Sequence, residues 1–196
     1  MVTAAAWVDG FIDRVHADHT VLTALDTRAG DGDFGDNLLS AAARARRERE
    51  AGTPPFRALV QAFRDAGGTS GPLLGMWFRP FARELQDPVD AAALARAARE
   101  GLAAIQSAAG AQVGDNTMVD AMAPAADALA DAADRGSDAP AALAAAARAA
   151  AEGAASTEGL LGRKGRSSYV GDHALGVADP GAVAIAWFFE AGRDAQ

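Results

Sequence analysis

The 196-residue chain contains no cysteine, which excludes disulfides, thiolate-held metals and a cysteine nucleophile. Lysine is almost missing as well: Lys164 stands alone beside many arginines, a bias that, with the abundant alanine, reads as genome base composition. Charges interrupt every apolar run before it reaches the length of a bilayer span, so no membrane segment is expected. Residues 1–10 carry Asp9 and no basic residue, unlike a secretory signal, and the expected location is cytoplasmic. Positive charge is in deficit. The formal net charge of −8 and sequence pI of about 4.8 would repel a nucleic-acid backbone, and no nucleic-acid partner is expected. A Walker A sequence is missing too, which excludes a P-loop protein. The three histidines, His16, His19 and His173, have no metal-ligand spacing.

Strand patterning is nearly absent, whereas helical periodicity is pervasive. Val8, Phe11, Ile12 and Val15 recur at the spacing of one helix face. Phe56, Leu59, Val60 and Phe63 repeat it, as do Leu74, Phe78, Phe81 and Leu85, with Pro80 expected to kink that helix. Ala91 to Ile105 is a strong helix former with Pro88 near its start. Met118, Met122, Ala125 and Leu129 form a further stripe, interrupted by Pro124. Ala141 to Ala154 follows Pro140, and its alanines favour both helix and close helix contact. A last helix is expected over 180–191, burying Trp187 and Phe188. With a helix after Asn37, the sequence predicts an all-α single domain over 1–196, of about eight antiparallel helices in an up-and-down bundle or closed barrel.

Four connections differ from the rest: 26–37, 67–72, 110–117 and 157–181 concentrate Gly, Asp, Ser, Thr and Arg. In an up-and-down arrangement, alternate connections meet at one end, so these four can share a site. The first contains Asp26, Asp31 and Asp33 with Gly30, Gly32 and Gly35 interleaved. Glycines allow sharp turns that aim neighbouring carboxylates at one centre, and a hard cation such as Mg²⁺ takes oxygen ligands of this kind. The glycines match a dinucleotide fingerprint, but no strand precedes them and no βαβ pattern surrounds them. An EF-hand starting at Asp31 fails because Asp36 and Ala42 stand where Gly and Glu are needed. Gly67-Gly-Thr-Ser-Gly-Pro72 opens into a helix, and backbone N–H groups at a helix start form a ready anion site. Gly114-Asp-Asn-Thr-Met-Val-Asp120 also begins a helix, with Thr117 and Asp120 spaced as a capping box. Arg163-Lys-Gly-Arg-Ser-Ser-Tyr169 is a basic cluster in an acidic chain. Asp179-Pro-Gly181 supplies a helix cap and a first-turn proline.

Taken together and in order, Gly30–Gly35, Gly67–Pro72, Gly114–Asp120, Gly162–Tyr169 and Asp179–Gly181 resemble the nucleotide-binding L subunit of bacterial dihydroxyacetone kinase. The resemblance spans nearly the whole chain and implies a barrel of eight antiparallel helices with ADP and two Mg²⁺ at one end. It implies that Asp26, Asp31 and Asp33 are magnesium ligands, and that Phe34, Asn37, Thr69, Ser70, Gly110, Met118, Arg166, Asp179 and Pro180 stand where the family contacts nucleotide. Charge arithmetic gives Arg166 its role. Three carboxylates and about three charges on ADP outweigh two Mg²⁺ by roughly two, and a bidentate arginine would supply balance on the phosphates. The family phosphorylates a triose held on a separate K subunit. Its phosphotransferase-system members keep ADP as a coenzyme recharged by a phosphocarrier subunit, and others exchange ATP. The implied activity is therefore that of a kinase subunit in glycerol metabolism, active with a K-type partner. Phe34 replaces a usual histidine, Asn116 a usual basic residue, and Gly176-Val177 a usual Gly-His. These departures keep two other readings in view, a kinase for another short ketose such as erythrulose and a non-catalytic nucleotide-binding regulator.

Overall fold

The computed structural model describes residues 1–164, 168 and 175–195. Its elements are α1 (Ala4–Ala29), α2 (Phe34–Glu50), α3 (Pro55–Arg64), α4 (Ser70–Glu84), α5 (Ala91–Ala109), α6 (Val119–Asp134), α7 (Ala139–Ser156), a 3₁₀ turn (Thr157–Gly159) and α8 (Pro180–Asp194). There is no strand among the described residues. Each helix packs on its neighbours in the chain, and α8 closes back onto α1. The expected closed, up-and-down helical ring is what forms.

Local chemistry fixes most helix starts. Thr3, Asp90, Asp138 and Asp179 each present an extended backbone and accept a hydrogen bond from the first turn of α1, α5, α7 and α8. Several boundaries differ from the sequence expectation. α1 runs on to Ala29, so Asp26 lies in a helix rather than in a loop, and the connection to α2 is only residues 30–33. α2 begins at Phe34, before Asn37, with Asp33 at its N-cap. α5 starts after Asp90, which caps it in place of Pro88, and α4 and α6 continue through Pro80 and Pro124.

The two ends of the ring are filled differently. At the end formed by the starts of α1 and α3 and the later turns of α4 and α8, Trp7 packs against Phe56, Phe81, Phe188 and Phe189 with ring centroids 4.7–6.3 Å apart. The Trp7 indole donates to the Phe188 carbonyl at 2.6 Å, so the plug is polar-satisfied as well as apolar. Toward the other end the lining shrinks to Leu38, Leu74, Ile105 and Val119, and here the ring opens.

Candidate functional site

At the open end lie the C-terminus of α1 and the N-termini of α2, α4, α6 and α8, joined by the four glycine- and aspartate-rich connections. An up-and-down ring makes this unavoidable, since alternate helices start at the same end. The same alternation ends α1, α3, α5 and α7 here, so the positive partial charge of the four N-termini acts only locally, at each helix start. One of these starts, that of α8, is already capped by a carboxylate of the chain. Asp179 caps α8 through Ala182 N at 2.7 Å, and Asp120 accepts from Thr117 N at 2.8 Å and Gly114 N at 2.5 Å. The Thr117 hydroxyl in turn accepts from Val119 N at 3.2 Å, completing the expected capping-box pair. As at Asp33 of α2 and Met118 of α6, the N-cap residue of α4, Thr69, makes no side-chain capping bond, which leaves first-turn N–H groups of α4 to a ligand.

These ends enclose a cavity of about 300 Å³. Its carboxylate corner brings together Asp26, Asp31 and Asp33, with one oxygen from each lying within 4.8 Å of the others. Asp26 is only 8 % exposed, and its Oδ2 accepts from Phe34 N at 3.0 Å, tying the last turn of α1 to the first of α2. A Cβ on Gly30 would collide with Asp26 Oδ1, so glycine lets the chain turn beneath that carboxylate without displacing it. Asp33, though at the N-cap of α2, makes no side-chain capping bond. Three oxygen donors at this spacing, one of them buried, suit a hard divalent cation.

Opposite the carboxylates, Gly67 approaches Asn37 so closely that a Cβ would sit 2.6 Å from Asn37 Oδ1. This contact locks the 65–69 turn to α2. Phe34, Asn37, Thr69, Ser70, Met118, Asp179 and Pro180 all line the same cavity. Gly110 does not line it directly. It caps α5 in the left-handed conformation (φ 61°) between Ala109 and Ala111, which do line it. Arg166 lies outside the described residues, as does His173.

Asp179 is half-buried at the rim. Loss of hydration is the main cause pushing its carboxyl up to about 7, with the nearby charges of Asp120 and Asp26 adding to the rise and the Ala182 hydrogen bond opposing it.

Two lining residues were not among the expected site residues. Lys164 is the only basic residue lining the cavity among those described, and its ammonium lies beside Gly110, 3.6 Å from where a Cβ there would be. The basic cluster had drawn attention to Arg166 instead. Asn116 is 2 % exposed, left-handed (φ 60°) and bonded through Nδ2 to Leu160 O at 3.2 Å. That partner is 44 residues away, beyond the reach of any local spacing rule.

This geometry has close counterparts. Residues 28–194 match the DAK2 domain. The ADP-binding subunit DhaL of a PEP-dependent dihydroxyacetone kinase from Listeria innocua is 32 % identical over 96 % of this chain and 93 % of its own length. An L-erythrulose 1-kinase of Mycolicibacterium smegmatis is 39 % identical over 91 % of this chain, which spans only 33 % of that longer protein. The dihydroxyacetone kinase of C. freundii, crystallised with AMP-PNP and Mg²⁺, superposes with a TM-score of 0.73 at 28 % identity, covering 100 % of this chain and 35 % of that one. A helical ring whose open end gathers three carboxylates, matched along nearly its full length by DhaL subunits, places this chain in the DAK2 domain family of dihydroxyacetone kinase subunits.

Proposed function

We propose that this chain binds a magnesium–adenine nucleotide and donates its phosphoryl group to a short ketose held on a separate K-type subunit. The observation that carries the reading is the convergence of Asp26, Asp31 and Asp33 in one cavity with the uncapped N-terminus of α4. Asp26, Asp31 and Asp33 would hold the Mg²⁺, two ions in the full reading, and the metal would neutralise charge on the phosphate oxygens. The N–H groups of α4, with Thr69 and Ser70, would bind phosphate oxygens and fix their orientation. Asn37, Met118, Asp179 and Pro180 would hold the rest of the nucleotide. Arg166, which we assign to the phosphates, would stabilise charge on the group in transfer.

Phosphoryl transfer asks little covalent chemistry of the protein but requires donor and acceptor in line. The carboxylate cavity is a donor site, and the K-type partner would bring the acceptor to its mouth. A phosphotransferase-system phosphocarrier could recharge bound ADP, as the names of related subunits suggest. No described helix is long and apolar enough to cross a membrane, and we assign the chain to the cytoplasm.

A second reading concerns the sugar. Identity to the M. smegmatis L-erythrulose 1-kinase, at 39 %, exceeds the 32 % to the L. innocua DhaL subunit, so erythrulose is an acceptor to compare with dihydroxyacetone. The test is a coupled assay with ATP or a phosphotransferase-system donor, run on this chain alone and with its K-type partner. Turnover should require both chains. Turnover by the isolated chain would refute the subunit reading, and none with either donor despite the partner would favour a non-catalytic nucleotide regulator.

A further inference from the structure

Two stretches of the cavity wall, Asn116 to Val119 leading into α6 and Asp179 to Gly181 leading into α8, are tied to one short segment that follows α7. Leu160 O accepts from Asn116 Nδ2 at 3.2 Å, and Arg163 N donates to Asp115 O at 3.1 Å. Glu158 O accepts from Gly176 N at 2.9 Å. The fourth tie is made by a side chain. Thr157 is fully buried and does not line the cavity. Its hydroxyl donates to Ala154 O, among the last carbonyls of α7, at 2.5 Å and accepts from Asp179 N at 2.9 Å. A hydroxyl has one proton to give. With that proton on Ala154, the lone pairs of Thr157 Oγ1 are left to receive the Asp179 N–H.

Asp179 is where this bond has consequences. Its N–H is held by Thr157, its carboxylate accepts from Ala182 N at 2.7 Å, and its carbonyl accepts from Val183 N at 3.0 Å. Gly181, two residues on, sits so close to Met118 that a Cβ there would lie 3.3 Å from the Met118 Cβ. A displaced Asp179 would therefore carry Pro180 and Gly181 with it. Packing of α7 on α8 holds the two helices side by side, but Asp179 precedes the first turn of α8 and depends on its own bonds. Side chains that hold a ligand need supports that keep them within about 0.5 Å of the productive geometry. We infer that Thr157 is a positioning residue: without touching the ligand, its hydroxyl fixes Asp179 and Pro180 where the nucleotide meets them. The inference rests on the nucleotide reading above, which gives Asp179 and Pro180 to the nucleotide.

The test compares Thr157→Val, which keeps the shape and removes the hydroxyl, with Thr157→Ser, which keeps the hydroxyl. Magnesium–ADP affinity is measured by calorimetric titration of the full chain well below its melting midpoint, and melting is followed on the ligand-free chain. Thr157→Val should bind ADP about fivefold to tenfold more weakly than the wild type, and Thr157→Ser within about twofold of it. A valine variant that melts lower yet binds ADP as the wild type does would reduce Thr157 to a structural role and overturn the inference. A serine variant as weak as the valine one would overturn it too. If the valine variant does not fold, Thr157→Ala takes its place. Alanine and serine differ only by the hydroxyl, and equal ADP affinity in those two variants would overturn the inference. Each of these outcomes, with tight ADP binding by the wild type, sinks this inference alone. Failure of the wild type to bind ADP would sink the nucleotide reading with it.

Discussion

Asp179 carries the clearest pH signature of any residue at the site. Its carboxyl is pushed up to about 7 by burial and by Asp120 and Asp26, so between the ordinary aspartate range and pH 7 the folded chain holds a proton that the unfolded chain has released. Stability falls with rising pH wherever the folded state binds more protons. The contribution of Asp179 is thus fully present below about pH 4 and lost as pH rises through 7, by an amount on the order of a few kcal/mol. Asp179→Asn keeps an oxygen to accept from Ala182 N and removes the charge. Thermal melts of the ligand-free chain from pH 4.5 to 8 should show the variant gaining on the wild type as pH rises. A constant difference across the range would show that Asp179 is not the source of the slope.

Asn116 and Asp120 show at the same scale how far a sequence can be read. Asp120 was legible as a capping residue because its partner Thr117 is three positions away. Its second bond, to Gly114 N, lies outside the usual capping pattern. Asn116 was legible only as a departure from the family, since its left-handed backbone and its bond to Leu160 depend on a segment that tertiary packing brings near.

Helices follow the same division. The stripes of α1, α3, α4 and α6 were readable because large apolar side chains recur on one face, and Trp7, Phe63, Phe78 and Met122 are fully buried as that predicts. α7 is harder. Its buried Ala142, Ala146, Ala147 and Ala150 share their residue type with exposed neighbours, so the inward face carries no compositional mark. The end of α1 was misjudged because Gly30 and the aspartates resemble a loop from residue 26 onward, whereas about one further turn carries the helix to Ala29. Two glycines separate the roles of these elements. A Cβ on Gly35 would strike the His19 carbonyl and the Thr23 backbone, neither of which can yield. Gly35→Ala should therefore push α2 off α1 and cost about 1–3 kcal/mol, or roughly 3–10 °C in the melting midpoint. At Gly67 the obstacle is the Asn37 side chain, which can rotate away. Gly67→Ala should leave the midpoint within about 2 °C but weaken ADP by disturbing Asn37 and the turn before α4. Reversed outcomes in calorimetric melts and ADP titrations would contradict this division between scaffold and site.

For the molecule as a whole, the closed ring explains why one end is filled and the other open. Aromatic side chains plug the end where α1 begins, and alternation of helix direction delivers four N-termini and three carboxylates to the opposite end. Three carboxylates in one cavity with the uncapped start of α4 suit a ligand that is itself a cation–polyanion pair, which a magnesium nucleotide is. On the proposed function, the mouth of the cavity is the surface toward which the K-type partner would present its sugar, so assembly and transfer would share one end. The most direct measurement of this account is calorimetric titration of the chain with ADP in Mg²⁺ and again in EDTA, repeated with Asp31→Asn. The account predicts binding in Mg²⁺ that disappears in EDTA and weakens by about tenfold to a hundredfold in the variant, equivalent to about 1.5–3 kcal/mol, with no drop in the ligand-free melting temperature because carboxylate repulsion is relieved. Equal ADP affinity with and without the metal would contradict it.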